Sequence, residues 1–576
     1  MDSRLRIRAA AELRKHLHLV TISVALAVIL AGVLRVRSTL LVFSPTVDEQ
    51  THLACGMEWL VFGTYTIDIK HTPLGRLAPA FSLWLDGSRA LAPGEESEMG
   101  NALLESRGQF RADLAKARFG TIVFFVLMCV AVFGWSRELF GPSIGLICLF
   151  ELSLLPAVLA LSGLVTTDMA GASTFVLSLW MILRWMRRRT PWRATAAGMC
   201  VGLALLSRLS AAPFLLGCAM LWLAFQVWMR RGWPSEAIRL RLGQIVLAGL
   251  GAYLLIWAGY RFQSEPMSRI TTLAKYQSRL DQHSVYGRVA AKALEVPIPG
   301  GNMIRGFANL LAYETEKPVE QYFLGETKTG GWPLYFPVGF LVKAPLPFLI
   351  LSGIGLLLAI GVVVRRGEIE SCYPAGFAMV LFLICLPTKW NIGTRYLLAV
   401  YPLLCVASGL AIKNLWRRRR FTVVSRLAVA GLLLWLCVES VHAHPDYLAY
   451  FNELAGSHPE RILADSDLDW GQDLYRLQQE AQAVHSSPVW MAYFGNTRPQ
   501  DYGFDTRRLP AEGTVSGWVA VSIQNLVIFP ERYAWLAPYP WRPVGKSIRL
   551  YFVPEPAPAP LAPPGRDQAL RMLHLK

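Results

Sequence analysis

Residues 18–34, HLVTISVALAVILAGVL, are followed almost at once by Ser44-Pro45-Thr46-Val47-Asp48-Glu49-Gln50-Thr51-His52. With its flanks, the first stretch is long enough to cross a bilayer as a helix. The second sets two adjacent carboxylates where that helix hands the chain to water. An ionisable pair at a membrane edge must be hydrated, paired or used in chemistry, so one short region carries both a fold class and a functional hypothesis. The plainer reading of the same residues is an acidic stop after a helix.

The rest of the chain supports the membrane reading. Of its 576 residues 53% are hydrophobic and only 17% charged, and the mean hydropathy is +0.36, which a water-soluble chain of this size would not show. A net charge of +17 could suggest nucleic acid, but the basic residues cluster in short loops between apolar segments and not on one soluble face. Arg4, Arg6, Arg8, Arg14 and Lys15 lead into the first apolar run like the start of a signal peptide. No small-residue cleavage site follows, so that run is read as an uncleaved helix. Most cysteines lie inside apolar runs, where a thiol is a small hydrophobe, and none lies beyond His442, which excludes a disulfide framework or a Cys-based zinc site there.

Apolar segments near 18–34, 117–134, 143–164, 170–186, 194–210, 211–229, 243–262, 336–364, 374–388, 394–412 and 424–441 are expected as eleven transmembrane helices. If they alternate, the basic N-terminal arm and the connections 184–193, 230–241, 365–366 and 413–420 all fall on one side, which the Lys/Arg bias makes cytoplasmic. The opposite side receives two long loops, 35–118 and 263–335, and everything after residue 441. In the first loop, 59–62 and 77–85 suit helices lying in the membrane interface. The second holds Tyr276, Arg279, Asp281, His283, Tyr286, Arg288 and Lys292, and its aromatic content argues for function over disorder.

The expected architecture is therefore an α-helical polytopic membrane domain over 1–441 and a small extracytoplasmic α/β domain over 442–576 that ends in a Pro/Ala-rich tail. Within the second domain, Asp465-Ser466-Asp467-Leu468-Asp469-Trp470-Gly471-Gln472-Asp473 leads into a helical pattern, and apolar runs follow at 489–494, 515–523 and 547–553. The acidic run lacks the spacing of an EF-hand, so calcium is disfavoured.

Carboxylates collect on the outer side at Asp48, Glu49 and Asp168, and cations at Lys70, His71, Arg76, His283, Lys389 and Arg395. Such a mixture suits a reaction between a lipid phosphate and a polar acceptor. One carboxylate takes a proton from the acceptor hydroxyl while the cations hold the departing phosphate. Each residue also has a plain reading: Asp168 as a helix cap, Lys389 and Arg395 as interfacial snorkelling groups, the histidines as loop residues, and Glu151 as a paired structural carboxylate inside an apolar run.

Val47-Asp48-Glu49, the later His71-Thr72-Pro73-Leu74, the Thr167-Asp168 pair, and Arg395-Tyr396-Leu397-Leu398 with Tyr401-Pro402 together resemble the GT-C-fold glycosyltransferases. The likeness is to the bacterial branch of glycosyltransferase family 39, akin to protein O-mannosyltransferases and lipid A aminoarabinose transferases. It covers about residues 4–441, and the run 465–474 also looks like the C-terminal region of bacterial members. The resemblance implies a polyprenyl-phosphate sugar donor and inverting transfer to an acceptor outside the cytoplasmic membrane. It implies Asp48 as general base with Glu49 beside it, and Asp168 as a second acidic position that orients the acceptor or helps a divalent metal ion. Lys70, His71 and Arg395, with Arg76, His283, Lys389 and Tyr396, would face the donor phosphate. His71-Thr72-Pro73 departs from the family's frequent His-Pro-Pro, and metal use is left open.

No Gly-rich phosphate loop exists for a nucleotide sugar. A transporter or flippase of a lipid-linked substrate would show symmetric halves and midplane charges, which the sequence lacks. A non-catalytic envelope-assembly protein is the remaining alternative. Sugar, acceptor, the role of the C-terminal domain and oligomeric state are not legible in sequence.

Overall fold

A computed structural model of the chain describes residues 3–89, 91–230, 242–270, 284–316, 320–365, 367–417, 422–484, 488–499, 503–555 and 564–575. Tyr276, Arg279, Asp281 and His283 lie outside these residues. Every one of the eleven expected apolar segments contains a helix. Among the described residues seven helices are long and apolar enough to cross a membrane, and an eighth span is formed if the bent pair Pro142–Leu154 and Pro156–Ser162 is counted as one. The chain is a multi-span helical membrane protein with a small sheet-containing domain at its C-terminal end.

Two expected helices are broken by proline. The segment 143–164 bends by 66° between Leu154 and Pro156. Leu155 is held extended before Pro156, as the proline ring requires of its predecessor. The Leu154 carbonyl left free at the break accepts a bond from Ser440 Oγ. The segment 336–364 likewise divides into Tyr335–Lys343 and Leu346–Val364 at Ala344-Pro345. The segment beginning at 394 opens with a 3-10 turn, Thr394–Leu397, and becomes α-helical only at Val400. All three departures adjoin residues that line the clefts described below.

The first outer loop folds into helices Glu49–Val61, Leu74–Leu85 and Glu96–Glu105. In the C-terminal domain five strands pair in the order Thr506–Arg508, Val489–Ala492, Gly517–Ser522, Ile548–Val553, Trp541–Val544, the first three parallel and the last two antiparallel. Val519 pairs with Tyr551 and Ala520 with Leu550. Their alternation gives the sheet two apolar faces, one packed with Leu526 and Leu536 and the other with Leu474 and Leu477 of the helix Leu474–Ala483.

Candidate functional site

The acidic run 465–473 is wedged between the first loop and the turn before Val400. On one side Ser44 N and Val47 N donate to Gln472 O and Trp470 O at 3.0 and 3.1 Å, and Ser44 Oγ bonds Gly471 O. On the other, Thr394 donates its N–H to both oxygens of Asp467 at 3.1 and 3.0 Å and its hydroxyl at 2.6 Å. Ser466 Oγ donates to Ile392 O. Gly393 has φ +147°, and a Cβ there would lie 1.9 Å from Ser466 Oγ, so only glycine permits this approach. Three aspartates of the run serve structure in this way: Asp467 holds Thr394, Asp469 accepts from Gln524 N, and Asp473 accepts from Lys546 N and Ser547.

The bracket positions Arg395 against Asp48. Asp48 is the residue before the helix Glu49–Val61, yet its side chain makes no capping bond. Its Oδ2 accepts from Arg395 Nη1 at 2.6 Å. The same Nη1 lies 3.9 Å from Asp168 Oδ2, while Asp168 Oδ1 is paired with Arg208 Nη1. Asp168 likewise makes no helix cap, since Thr166 holds that position. The Arg395 guanidinium stacks 4.3 Å above the Trp470 ring, and that of Arg208 lies 4.9 Å from the Tyr396 ring centre. Asp48, Asp168, Arg208, Arg395 and Tyr396 thus form one cluster, in which Asp48 is the most open carboxylate, with a third of its side chain exposed against 3% for Asp168.

Glu49, one residue along, faces the opposite way. It is fully buried and takes two bonds from Arg118, at 2.9 and 2.6 Å, together with Thr46 N and Val165 N at 2.8 Å each. Arg118 in turn donates to the carbonyls of Leu40, Phe43 and Ser44. Every oxygen and every donor of this pair is engaged by protein, which makes it a clamp between the first loop and the turn preceding Asp168.

Arg76 is also held by protein. It is fully buried, and donates to His52 Nδ1, Tyr65 Oη, Asp68 O and the Asp68 carboxylate. Asp68 also binds His71 Nδ1 at 2.8 Å and lies 3.7 Å from Lys70 Nζ. Burial works against the Asp68 charge, but His71 and Arg76 outweigh it and hold this carboxyl well below the usual range. Burial and then the Arg76 charge push His52 well below the ordinary histidine value, so it is neutral. Burial holds His71 below the ordinary histidine value, against the opposing bond from Asp68. Lys389 is exposed, and its carbonyl accepts from Gln321 Nε2. His283 lies outside the described residues.

Sequence reasoning passed over Arg208, Asp467 and Trp470 as site residues. Arg208 marks the junction between Pro191–Ser207 and the helix beginning at Ala211, and a lone cation between two apolar segments on the outer side is the signal that could have singled it out. Gly171 permits its approach, since a Cβ there would meet Arg208 Cβ at 2.9 Å. Asp168, Arg208 and Arg395 form the polar wall of a cleft whose apolar wall includes Phe175, Ala211 and Phe214. A second cleft also borders Arg395. Among the described residues no group of three or more His, Cys, Asp or Glu is arranged to hold a metal ion. Both carboxylates of the cluster face arginines instead.

Residues 110–257 match the family described as dolichyl-phosphate-mannose-protein mannosyltransferase. The matched segment contains Asp168 and Arg208; Asp48, Arg395 and the C-terminal domain lie outside it. No curated protein matches the chain. Among solved structures it is similar to the archaeal oligosaccharyltransferase AglB from Archaeoglobus fulgidus in complex with an inhibitory peptide and a dolichol-phosphate. That likeness has a TM-score of 0.47 and 13% identity over 96% of this chain and 77% of that one. It is also similar to ArnT from Cupriavidus metallidurans bound to undecaprenyl phosphate, with a TM-score of 0.47 and 12% identity over 93% of this chain and 98% of that one.

Proposed function

We propose that this protein is a glycosyltransferase that moves a sugar from a polyprenyl-phosphate donor to an acceptor on the outer face of the cytoplasmic membrane. The observation that carries the reading is the joining of Asp48, Asp168, Arg208 and Arg395 beside a cleft with an apolar wall. A lipid phosphate needs that pairing of cations with apolar surface. The family match over the segment holding Asp168 and Arg208 agrees with it.

In the resting site Arg395 is bonded to Asp48 and occupies one oxygen of that carboxylate. Donor phosphate competes for the same guanidinium, and together with Arg208 draws it away. Asp48 is then free to take a proton from the acceptor, so its availability as a base is coupled to donor binding. The acceptor hydroxyl gives its proton to Asp48 as its oxygen bonds to the sugar's anomeric carbon. The bond from that carbon to the phosphate oxygen breaks, and the electron pair leaves with polyprenyl phosphate held by Arg208 and Arg395. Attack opposite the leaving phosphate inverts the anomeric centre. Asp168 holds both arginines in register, and Glu49, whose oxygens are all engaged by protein, and the buried Arg76 act as structural anchors. The leaving charge is met by guanidinium groups, and no divalent ion is assigned to the step.

The test is transfer of labelled sugar from a polyprenyl phosphate into envelope extract by the purified chain, alone and with a chelator. Incorporation that survives chelation supports the reading. Absence of transfer and of donor binding from every polyprenyl-phosphate sugar would overturn it.

A further inference from the structure

The second cleft borders Arg395 and Leu398, as the first does, but is otherwise built from different elements. One wall is Ala157, Ala160 and Leu161 of Pro156–Ser162, the outer half of the bent span. A break in a membrane helix is tolerated where it is buried, as Leu155 is, and the half that follows it lines this cleft. The opposite walls carry Lys343, Tyr401, Tyr447 and Tyr450.

Two of the three tyrosine hydroxyls are fixed by protein. Tyr447 Oη accepts from Arg35 Nη2 at 2.9 Å, and Tyr450 Oη donates to the Glu439 carboxylate. The Tyr401 hydroxyl has no partner among the described residues, although the residue is 1% exposed, and the buried Nε of Arg395 has none either. Lys343 Nζ donates to the carbonyls of Leu448 and Asp467. Unpaired buried polar groups are costly, so two of them bordering one cleft point to oxygen atoms supplied from outside.

We propose that this cleft is the acceptor site and that it takes a sugar ring with free hydroxyls, the end of a glycan. The inference rests on the transfer reading above. Tyrosine side chains that are apolar in body and polar at the tip suit a hydroxylated ring. None of its lining residues lies in a strand, so it offers no backbone edge for an extended peptide. Arg395 borders both clefts and bonds Asp48, which ties the base to both through one side chain.

The experiment uses the full chain in lipid nanodiscs, a polyprenyl phosphate carrying a labelled sugar, and envelope extract separated into polysaccharide, glycolipid and protein fractions. Label is expected in the polysaccharide or the glycolipid fraction, resistant to protease, and the two fractions distinguish the source of the glycan. Ala160→Leu, which fills the cleft, lowers incorporation at least tenfold. Tyr401→Phe, which removes only the hydroxyl, raises the acceptor KM about fivefold, and both variants bind polyprenyl phosphate as the wild type does. Label in the protease-sensitive fraction, or wild-type transfer by folded Tyr401→Phe and Ala160→Leu proteins, overturns the assignment. If Ala160→Leu fails to fold, the Tyr401→Phe KM decides. A wild type that neither binds nor turns over any donor removes the transfer reading and this inference together, whereas donor turnover indifferent to both variants removes this inference alone.

Discussion

Thr394 donates its backbone N–H and its hydroxyl to the carboxylate of Asp467. The C-terminal domain therefore grips the residue next to Arg395 and is part of the site's framework. Asp467→Ala leaves the buried N–H of Thr394 without its acceptor, a cost of about 1–3 kcal/mol. We expect transfer to fall by roughly tenfold or more, with the donor Kd rising because Arg395 is displaced. A kinetic comparison with Asp467→Asn, which keeps one acceptor oxygen, checks this: the Asn protein should lose less.

Arg208 bears on the donor and not on the base. Arg208→Lys keeps the charge but loses the planar fork that meets both Asp168 and a phosphate. Polyprenyl phosphate binding should weaken about tenfold, or about 1.4 kcal/mol, with the Asp48 dependence of transfer intact. Titration of the lipid phosphate against the two proteins reads the difference. Equal affinities would remove Arg208 from the donor site.

Glu49 and Asp48 are neighbours with separate duties. Removing one partner of a buried pair leaves an uncompensated charge, at about 3–5 kcal/mol. Glu49→Ala should therefore unfold at a markedly lower temperature in detergent. Glu49→Ala combined with Arg118→Met should recover part of the loss, and Asp48→Asn should unfold near the wild type.

The buried aspartates of the acidic run give stability a pH dependence of known sign. Burial pushes Asp469 up to about 8 and Asp465 up to about 7. Their protonated forms are favoured by folding, so the stabilisation is complete below the ordinary carboxylate range and is lost as pH rises through those values. Thermal unfolding should move to lower temperature between about pH 5 and pH 8.5, by at most about 1.4 kcal/mol per pH unit for each group. Asp469→Asn should flatten the profile. A profile that rises over this range contradicts the assignment.

The membrane architecture was legible because a span is a local property: twenty apolar residues announce it. The breaks at Pro156 and Pro345 were written in the same segments, but length and hydropathy alone pass over them. Site residues were legible only where two features coincided, as in the Asp48-Glu49 pair. Which of the two faces the site is decided by Arg118, distant in sequence, and no spacing shows that. Asp465–Asp473 read as a lead into a helix, yet its role is to bridge residues 44–47 to 392–394, again a relation between distant segments. Arg76 reads as a phosphate ligand in the sequence, but it is fully buried and turned toward Asp68, Tyr65 and His52.

The most direct test of the account is release of free polyprenyl phosphate from a panel of polyprenyl-phosphate sugars, with envelope extract as acceptor, by wild type beside Asp48→Asn. The account predicts release by the wild type from at least one donor, and a loss of at least a hundredfold in a folded Asp48→Asn protein that still binds the donor. Undiminished release by that variant, or none by a folded wild type from any donor, would contradict it.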